Sequence, residues 1–564
     1  MSDSAGKPKD GDTIGAAGRI SPKIRVAEIA ELIKPWARPS RFAMWALGLA
    51  IGVIGGYAVV AFRFLIDAFS MLAFGEGETM VSSGAAELAA WRVFMAPILG
   101  GLFVSIVLIA AQRLRWLREP RAEGVADVIE ARAVRVSALT FRGGIASALV
   151  SAASLGSGAS AGREGPAVNL GATLAGHVAR RLNLAPRDAR TLLACGAAAA
   201  VSASFNAPIA GVLFALEVVL GHYALAVFGP VTLASVAGAV VARSVYGNFP
   251  AFSIPESVDY GLTLIDLPAA FLLGALAGVI AAAFLHGVRL GTKSVDAAAA
   301  RMRVPVEWAA PFGGVVIGAI GVFYPHVLGV GYEAVTLALE ASAPLTFLAT
   351  LLVLKILATA VTLACRFGGG VFSPGLYLGA VAGAAFGGLL GAAAPGAFAA
   401  PTFYAMVGMG AVSGAVLGAP ISTTLIVFEL TAEYDMTIAL LLAVSTATLI
   451  NKLLFGRSYF HWQLLRHGYD LSEGRQGVIL KTIRVRSVMT KTPGEGDRLE
   501  AGAMRIHADD TLGEALAAFG PEISGALPVV EDSEPDLVIG YLARERALEA
   551  YNRALIDIHV EEHR

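Results

Sequence analysis

Long apolar runs without charge alternate along this chain with short polar connections. The first run extends from Ala43 to Phe62 and holds no charged residue over twenty positions. At a rise of about 1.5 Å per residue, a helix of that length crosses a hydrocarbon layer of about 30 Å. A second run of similar character extends from Val93 to Ala111. The pattern therefore predicts two transmembrane helices near the start of the chain.

Beyond Arg142 the apolar runs become shorter, because Gly and Pro interrupt them. The interrupted runs and the longer ones after them are 143–162, 165–176, 191–205, 209–220, 224–242, 268–286, 309–329, 346–364, 371–393, 402–417, 419–430 and 436–455. Backbone that is broken at membrane depth must line a cavity or be buried in protein. We therefore predict an all-α polytopic membrane protein with broken helices and well over ten helical segments.

Two parts of the chain repeat each other. The stretch 195–218 matches 407–431 at an offset of 212, and further upstream 164–172 matches 372–380 at an offset of 208. A shared bias towards Gly and Ala is the alternative explanation. Transporters that are built from two repeats place their substrate site near the midplane, between the repeats. We therefore expect a site between the two halves of this chain.

Charges at the ends of the first two runs predict the orientation of the chain. Basic residues stand before the first run and after the second, at Lys34, Arg38, Arg41, Arg113, Arg115, Arg118 and Arg121. Basic flanks stay in the cytoplasm, so we expect the N-terminus inside. The connection between the two runs is then external, and its acids are Asp67, Glu76, Glu78 and Glu87.

The two ends of the chain differ from its apolar middle. Residues 1–22 are polar and predict a disordered cytoplasmic tail, and 23–41 predict a short interfacial helix. The membrane domain is predicted over 42–467. After His467 the composition turns charged, and strand-like and helix-like segments alternate. We expect a small cytoplasmic α/β domain over 478–564.

Composition excludes several classes of protein. Of 564 residues, 56% are hydrophobic and 15% are charged, whereas soluble domains have about 25% charged residues. The formal net charge of −1 provides no basic surface for nucleic acid. Cys195 and Cys365 are the only cysteines in the sequence, too few for a disulfide framework or a thiolate metal site.

The motif GREGP at 162–166 places a carboxylate at membrane depth. Glu164 lies between two apolar stretches beside Arg163, and Pro166 suits the first turn of a helix. A helix N-terminus attracts anions through its free N–H groups and its dipole. We interpret Glu164 as a carboxylate in an anion site, which a free anion replaces when the side chain swings away. The alternative is a simple helix cap.

The repeat places GGGVFSPG, at 368–375, in the equivalent position. Its glycines allow the backbone to approach a ligand, and Val371 and Phe372 precede Pro374 at another predicted helix start. Here there is no carboxylate in the motif. Two opposed helix N-termini bind an anion through backbone N–H groups, weakly enough for it to leave again.

These motifs resemble the CLC family of chloride channels and proton-coupled chloride exchangers. The resemblance covers about 40–467 and rests on GREGP, GGGVFSPG, SFNAPIAGVLFALE and PHVLGVGYEAV. It implies an inverted-repeat fold and a homodimer with one anion pathway per subunit. It also implies that Glu164 is the external gating residue. The anion-binding positions that it implies are Arg163, Gly165, Val371, Phe372 and Phe460.

The chain departs from the family pattern at the first anion motif, Gly-Ser-Gly-Ile/Val-Pro. This motif aligns with AEGVA at 122–126, so Glu123 and Gly124 form an altered inner site. The Glu123 carboxylate could act as a tethered anion at the inner mouth, or as a proton-titrating group with a raised pKa. The alternative is that it turns to the cytoplasm and pairs with Arg121 or Arg118.

Two further departures concern a tyrosine and a glutamate of the family. Phe460 takes the place of the tyrosine, with Tyr459 one position earlier. Since one residue turns a side chain on a helix by about 100°, we expect that Tyr459 does not substitute without a local rearrangement and that Tyr459 and Phe460 merely pack. Val218 takes the place of the internal proton-transfer glutamate, and valine cannot relay a proton. Glu217 beside it is expected to be a structural acid held by neighbouring backbone.

We therefore expect transport of chloride or a similar small anion through a pathway gated by Glu164. Channel-like conduction is the leading mechanism. The alternative is proton-coupled exchange, with Glu123 or another group relaying protons. Fluoride and bicarbonate are alternative ions. The expected setting is a bacterial inner membrane, with both termini in the cytoplasm.

The C-terminal domain resembles one CBS repeat. Such repeats usually pair and can bind adenine nucleotides, whereas only one is recognisable over 478–564. It either pairs across the dimer or is a remnant. No cofactor is required for transport, and both nucleotide sensing and a ligand-free cap that stabilises the dimer stay open.

Some motifs point elsewhere. GASAG at 158–162 fits the G-x-S-x-G nucleophile elbow and makes an intramembrane hydrolase centred on Ser160 a remote alternative. That motif needs a strand-to-helix turn and a triad, so packing by small residues explains it better. Lys355 lies in an apolar run and is expected to contact carbonyls or a polar cavity. No metal site is expected from the scattered residues His177, His222, His286 and His326.

Overall fold

The computed structural model describes most of the chain. The described residues are 39–133, 139–247, 263–431, 436–469, 480, 483–491, 499, 504–519 and 525–563. The predicted tail at 1–22 and nearly all of the predicted interfacial helix at 23–41 lie outside them.

Eighteen α-helices follow one another through the described part of the apolar region. The first nine are α1 Arg41–Phe74, α2 Val81–Glu87, α3 Ala90–Arg113, α4 Val125–Ala133, α5 Phe141–Gly156, α6 Glu164–Arg181, α7 Pro186–Phe205, α8 Pro208–Phe214 and α9 Leu225–Tyr246. The next nine are α10 Asp266–Met302, α11 Ala309–Phe323, α12 Tyr332–Leu339, α13 Leu345–Ala364, α14 Phe372–Ala393, α15 Pro401–Leu417, α16 Pro420–Thr431, α17 Met436–Leu454 and α18 Tyr459–Arg466. The all-α prediction is confirmed.

Short helical turns join some of these helices. A π-helix, Ala215–Leu220, continues α8, and 3₁₀ turns at Val306–Trp308 and Pro325–Val327 flank α11. Helix α8 has seven residues and α4 has nine. Neither is long enough to cross a hydrocarbon layer of about 30 Å alone. The prediction of broken helices is therefore confirmed.

Eight helical stretches of the described chain are long and apolar enough to span a membrane. They are Arg41–Phe74, Ala90–Arg113, Leu225–Tyr246, Asp266–Met302, Val306–Phe323, Leu345–Ala364, Phe372–Ala393 and Met436–Arg466. Large apolar side chains remain exposed along several of them, as at Leu72, Trp91 and Phe312. Such surfaces suit contact with lipid.

Helix α1 is longer than the sequence pattern predicts. It continues through Arg63 and Asp67 to Phe74, so the assignment of Asp67 to an external connection is wrong. Both charged side chains have partners that make this possible. Arg63 Nε lies 3.2 Å from Glu78 Oε1, and the Glu78 N–H donates to Asp67 Oδ1 at 2.9 Å.

The internal repeat is visible in how the helices pack. Helices α6 and α7 meet at Gly171 and Gly196, where a methyl group on either residue would meet the carbonyl oxygen of the other. Helices α14 and α15 meet in the same way at Gly379 and Gly408. The two sequence offsets align these pairs, so the repeat reproduces a close backbone contact that only glycine permits.

Two carboxylates connect the repeats. Glu217 accepts hydrogen bonds from the N–H groups of Ile421 and Ser422 at the start of α16, at 3.1 and 2.7 Å. Glu429 accepts two hydrogen bonds from the N–H groups at the start of α8, at 3.0 and 2.7 Å. Glu217 is thus a structural acid held by backbone, as predicted, and the backbone belongs to the other repeat.

The C-terminal region forms a small mixed α/β unit. Its described elements are α19 Val485–Val488, β1 Thr490–Lys491, β2 Ile506–His507, α20 Leu512–Ala518, β3 Ala526–Glu531, β4 Glu534–Ala543 and α21 Arg544–His563. The strand order is β1-β4-β3-β2, and only the β2–β3 pair is parallel. Leu512, Val529 and Leu542 are buried in its core. The α/β prediction is confirmed, and the resemblance to a CBS repeat stays a prediction.

Candidate functional site

The starts of α6 and α14 meet, and the repeat makes these two helices equivalent. Just before them, Gly162 and Gly370 exchange two backbone hydrogen bonds of 2.8 and 2.7 Å. The Cα of Gly370 also lies 3.4 Å from where a Cβ of Gly165 would stand. A Cβ at Gly162 would stand 3.0 Å from the backbone nitrogen of Ser373, so glycine suits this close approach of two backbones. The motifs GREGP and GGGVFSPG therefore form one site.

Glu164 lies at this junction with its side chain buried. Its Oε1 accepts a hydrogen bond of 2.7 Å from the hydroxyl of Ser373, in the first turn of α14. Its Oε2 has no hydrogen-bond partner among the described residues. The carboxylate of the first repeat thus sits beside the helix start of the second repeat. This position supports the interpretation of Glu164 as a carboxylate in an anion site.

A cavity of about 290 Å³ leads away from Glu164, and we call it the main cavity. Of the residues singled out in the sequence, those that line it are Gly124, Glu164, Gly165, Val371, Phe372 and Phe460. Phe205 and Phe372 pack against each other in its wall, with ring centroids 4.9 Å apart. We call the end at Glu164 the outer end and the opposite end the inner end, after the orientation that the basic flanks predict.

Tyr459 lines the main cavity beside Phe460, and the expectation that its hydroxyl does not replace the missing one stays a prediction. Helix α18 begins at Tyr459, and the cavity is wide enough to contact the first two side chains of the helix. The Tyr459 hydroxyl accepts a hydrogen bond of 3.0 Å from Gln463 Nε2. The hydroxyl is therefore held by a side chain of its own helix, and Phe460 has no hydroxyl.

Arg163 does not line the main cavity. Its guanidinium pairs with Glu78 and donates to the Ser204 carbonyl at 3.2 Å. Its Nε lies 3.9 Å from Glu164 Oε1. Arg163 therefore contributes charge beside Glu164, and its part in anion binding stays a prediction.

Basic side chains line the inner end, and of these the sequence analysis named only Arg121, as part of a basic flank and as a possible partner of Glu123. Arg121, Arg366 and Arg466 all line the main cavity. Arg366 adopts a left-handed backbone conformation with φ of 67° and pairs with Asp296. It lies two residues before the glycine-rich motif, and that position was the available signal. Positive charge along a narrow opening concentrates anions there.

Arg121 is the centre of an ion network at the inner end. It makes two hydrogen bonds to Asp127, of 2.9 and 2.7 Å, and one to Glu119 of 2.8 Å. Its Nη2 also lies 2.9 Å from Nε2 of His467. Burial acts to raise the pKa of the Asp127 carboxyl, but Arg121 holds it below its ordinary value.

Glu123 points away from the main cavity. Its side chain lines a second cavity of about 140 Å³, together with Arg118, Arg121, Asp127 and other residues. Its backbone N–H donates to Ser147 Oγ on α5 at 2.9 Å, which fixes the orientation. Because Glu119, Arg121 and His467 line both cavities, the two lie side by side.

The Glu123 carboxylate lies in the loop before α4, outside the membrane-spanning helices. Burial, with the nearby charge of Asp127, raises its pKa to about 8, although Arg121 and Arg118 act to lower it. Its Oε2 is buried without a hydrogen-bond partner in the described part of the chain. This supports the proton-titrating alternative over a tethered anion in the pathway.

Val218 lies on the π-helix and packs against the main apolar core. A π-turn shifts the register of the side chains that follow it. Here Glu217 faces the start of α16, and its neighbour Val218 is apolar. The position that the resemblance assigns to a proton-transfer acid therefore holds no proton acceptor.

The other motifs are explained by packing. The Ser160 hydroxyl lies 3.3 Å from that of Thr359, and neither group is a general base. Lys355 is fully buried and donates to the carbonyls of Val327, Gly329 and Val330 at 3.1, 3.0 and 3.3 Å, as expected.

The histidines singled out in the sequence contact local groups. His286 Nδ1 lies 2.9 Å from the Ala282 carbonyl, and His326 packs edge-on against Phe347. Asp127, Glu130 and His467 do place ligand atoms within 4.8 Å of one another. Because the Arg121 guanidinium already contacts Asp127 and His467, we interpret this group as part of the inner ion network.

Comparisons with known proteins agree with the motifs. Residues 101–452 match the family model described as voltage gated chloride channel. A putative chloride channel protein ClcB-like of Ralstonia nicotianae is 34% identical over 409 residues, which are 72% of this chain and 92% of that protein. The voltage-gated ClC-type chloride channel ClcB of Escherichia coli is 28% identical over 433 residues, which are 76% of this chain and all of that protein.

Solved structures share the fold at lower sequence identity. The crystal structure of a slow cyanobacterial Cl⁻/H⁺ antiporter matches with a TM-score of 0.65 and 20% identity, over 76% of this chain and 99% of that one. A CLC-type fluoride/proton antiporter matches with a TM-score of 0.59 and 22% identity, over 74% of this chain and 98% of that one.

Family members are channels or transporters rather than enzymes, so the hydrolase alternative has no support. The family match covers more than half of the chain, and it includes both helix starts and most of the residues that line the main cavity. With eight apolar helices long enough to span a membrane, the chain is a multi-pass integral membrane protein that belongs to the CLC family.

Proposed function

We propose that this chain conducts chloride passively across a membrane, through the main cavity, with Glu164 as its gate. The position of Glu164 carries the proposal. Its buried carboxylate lines the cavity and accepts a hydrogen bond from Ser373 on the helix start of the other repeat. A free anion takes this position when the carboxylate is protonated or swings away.

The rest of the cavity suits the passage of a small anion. Arg121, Arg366 and Arg466 attract anions to the inner end. The backbone around Val371 and Phe372, at the start of α14, then offers N–H groups without a full charge. Weak binding of this kind lets the ion leave again. The names of the two bacterial relatives support chloride as the ion.

Passive conduction follows from Val218. Obligatory exchange needs a group that takes protons from the inner side to the gate, and the apolar packing of Val218 provides none at the expected position. The gate itself can still take up a proton, so the flux should depend on pH without being coupled to proton movement.

The experiment is reconstitution of the purified protein in liposomes, with chloride flux and proton movement measured together. We expect chloride to flow down its gradient without uphill proton movement. Glu164→Gln should make the flux independent of pH, whereas Glu87→Gln, at an exposed acid, should change nothing. Uphill proton movement that is driven by a chloride gradient and lost in Glu164→Gln would refute passive conduction.

Proton-coupled exchange is the second candidate, and the second cavity favours it. Glu123 lies in this cavity with a pKa raised to about 8, so it can take up and release protons near neutral pH. Two solved proteins of similar fold are named as antiporters. The same assay with Glu123→Gln tests this candidate, because loss of coupling with retained chloride flux would assign the relay to Glu123. Fluoride and bicarbonate belong in the ion panel.

The proposed setting is a bacterial inner membrane with both termini in the cytoplasm. Basic flanks before α1 and after α3 support this orientation. We also propose a homodimer, in which the C-terminal domain pairs across the two subunits. Cross-linking in membranes tests the dimer, and calorimetry with ATP tests nucleotide binding to the full chain.

A further inference from the structure

A buried ion network lies behind the gate, outside the anion pathway. Glu78, on the connection between α1 and α2, is only 4% exposed. Its Oε1 pairs with both Arg63 and Arg163. Its N–H donates to Asp67, which ties the connection to α1. One carboxylate oxygen therefore serves two guanidinium groups.

Arg163 is turned towards Glu78 rather than towards the gate. Its guanidinium contacts Glu78 and the Ser204 carbonyl, while its Nε has no hydrogen-bond partner in the described chain. The distance from this Nε to Glu164 Oε1 is 3.9 Å. A small turn of Arg163 would therefore bring it into hydrogen-bond contact with Glu164.

The network draws on every helix packed around this point. Its charged and titratable groups are Arg63, Asp67, Glu78, Arg163, Glu164, Tyr246 and Tyr332. The guanidinium groups also lie over the two tyrosine rings, at 3.9 and 5.2 Å from their centroids. Glu333, on the same helix as Tyr332, is occupied by the backbone N–H of Ser82 at 2.6 Å.

The formal charges of this network show what Glu78 does. The two arginines balance Glu78 and Asp67, so Glu164 shares the charge of Arg163 only through the 3.9 Å contact with its Nε. The gate carboxylate is then held by the neutral hydroxyl of Ser373. Such a carboxylate can leave the anion site more readily than one that is paired with a guanidinium group.

We infer that Glu78 is a positioning residue for the gate: by holding Arg163, it keeps the guanidinium off Glu164 and sets the proton concentration at which the gate releases. Without the Glu78 charge, Arg163 and Arg63 would stabilise the Glu164 carboxylate in the anion site. An opposite charge within this distance shifts a protonation equilibrium by about one to three pH units. The inference rests on the proposed role of Glu164 as gate.

The test is the external pH of half-maximal chloride flux in liposomes. Glu78→Gln should lower this pH by about one unit, because Arg163 becomes free to pair with Glu164. Glu78→Asp keeps the charge and should restore most of the wild-type profile. Glu87→Gln, at the exposed end of α2, is the matched control and should leave the profile unchanged.

A second variant works in the opposite direction and protects the test against misfolding of the first. Arg63→Gln removes the other cation, and Glu78 then pairs with Arg163 alone. The external pH of half-maximal chloride flux should therefore rise. Unchanged profiles in the folded variants, or shifts of the same sign in both, would overturn the inference. Glu164→Gln is measured beside them. If it leaves the pH dependence intact, the proposed gate fails instead.

Discussion

The two ends of the main cavity carry the same kind of ion pair in different surroundings. At the outer end, Arg163 and Glu78 each have 3% of the side chain exposed. At the inner end, Arg121 and Asp127 have 17% and 15% exposed, and they lie beside His467 and the second cavity. The outer pair is almost fully buried, whereas the inner pair is partly exposed.

Because of this difference in exposure, the two ends of the main cavity are suited to different functions. In the buried outer network, one misplaced charge acts strongly on Glu164, because little solvent screens it. In the more exposed inner network, charges act less strongly on an anion, because solvent screens them. The outer end is therefore suited to gating, and the inner end is suited to capturing anions and sensing pH.

The largest expected effect is on stability, from Asp127→Asn. This change leaves the largely buried Arg121 without its two-bond partner and removes the carboxylate that accepts from the Gly124 N–H. Losing hydrogen bonds to a charged group that is only partly exposed costs about 1.5–3 kcal/mol. Thermal unfolding of the purified protein should show a clearly lower midpoint. Glu119→Gln, at the 48% exposed partner of Arg121, should cost less than about 1 kcal/mol. Equal losses would mean that both partners of Arg121 are equally screened.

The next effect concerns the outer end, from Ser373→Ala. The change removes the hydroxyl that donates to Glu164, and a hydrogen bond to a charged group contributes about 1.5–3 kcal/mol. The pH of half-maximal flux should rise by about one unit, since the charged gate loses a donor. Ser105→Ala is the control, at a buried serine outside the lining of the main cavity, whose hydroxyl lies 2.6 Å from the Glu307 carbonyl and 3.0 Å from the Gly101 carbonyl. An unchanged pH dependence of the chloride flux would show that the Ser373 hydroxyl does not hold the Glu164 carboxylate.

A smaller effect is expected at the inner end, from Glu123→Gln. With a pKa raised to about 8, the wild-type carboxyl is mostly neutral below that pH and gains its charge above it. Its charge opposes anion entry, so wild-type flux should fall by about fivefold, or ~1 kcal/mol, as internal pH rises through 8. The flux through the glutamine variant should not change with internal pH. Titrating external pH should not separate the two proteins.

Stability gives the same variant a second readout. A carboxyl whose pKa is raised in the folded state favours folding at low pH and loses that contribution as pH rises towards 8. The wild-type unfolding midpoint should therefore fall more between pH 5 and pH 9 than that of Glu123→Gln. Parallel curves would contradict the raised pKa.

The smallest effect is expected from Glu123→Ser. This change restores the family residue, but the side chain at this position faces the second cavity. Chloride affinity by calorimetry should therefore rise less than about threefold, through the loss of a screened charge alone. A tenfold gain would place the serine hydroxyl in the main cavity and contradict the orientation that Ser147 imposes.

Local motifs predicted the outer part of the site. Glu164, Phe372 and the glycines beside them were found from sequence, because helix starts and close backbone contacts depend on a few adjacent residues. The broken helices and the repeat were found for the same reason.

The ion networks could not be predicted, because they join residues far apart in the chain. Arg163 and Glu78 are 85 positions apart, and Arg121 and His467 are 346 apart. The orientation of Glu123 depends on Ser147 of another helix. Asp67 was assigned to a loop because a charge ends an apolar run, whereas its hydrogen bond from the Glu78 N–H lets the helix continue.

The exchange of carboxylates between the repeats has a consequence for biosynthesis. Glu217 is translated 204 residues before Ile421, the residue whose N–H donates a hydrogen bond to it. At a translation rate of about 5–20 residues per second, Ile421 is synthesised roughly 10–40 s after Glu217. During that time the start of α8 also lacks Glu429. The first half therefore enters the bilayer unfinished, and shielding of these groups by the insertion machinery, until the second half emerges, becomes part of how the protein is made.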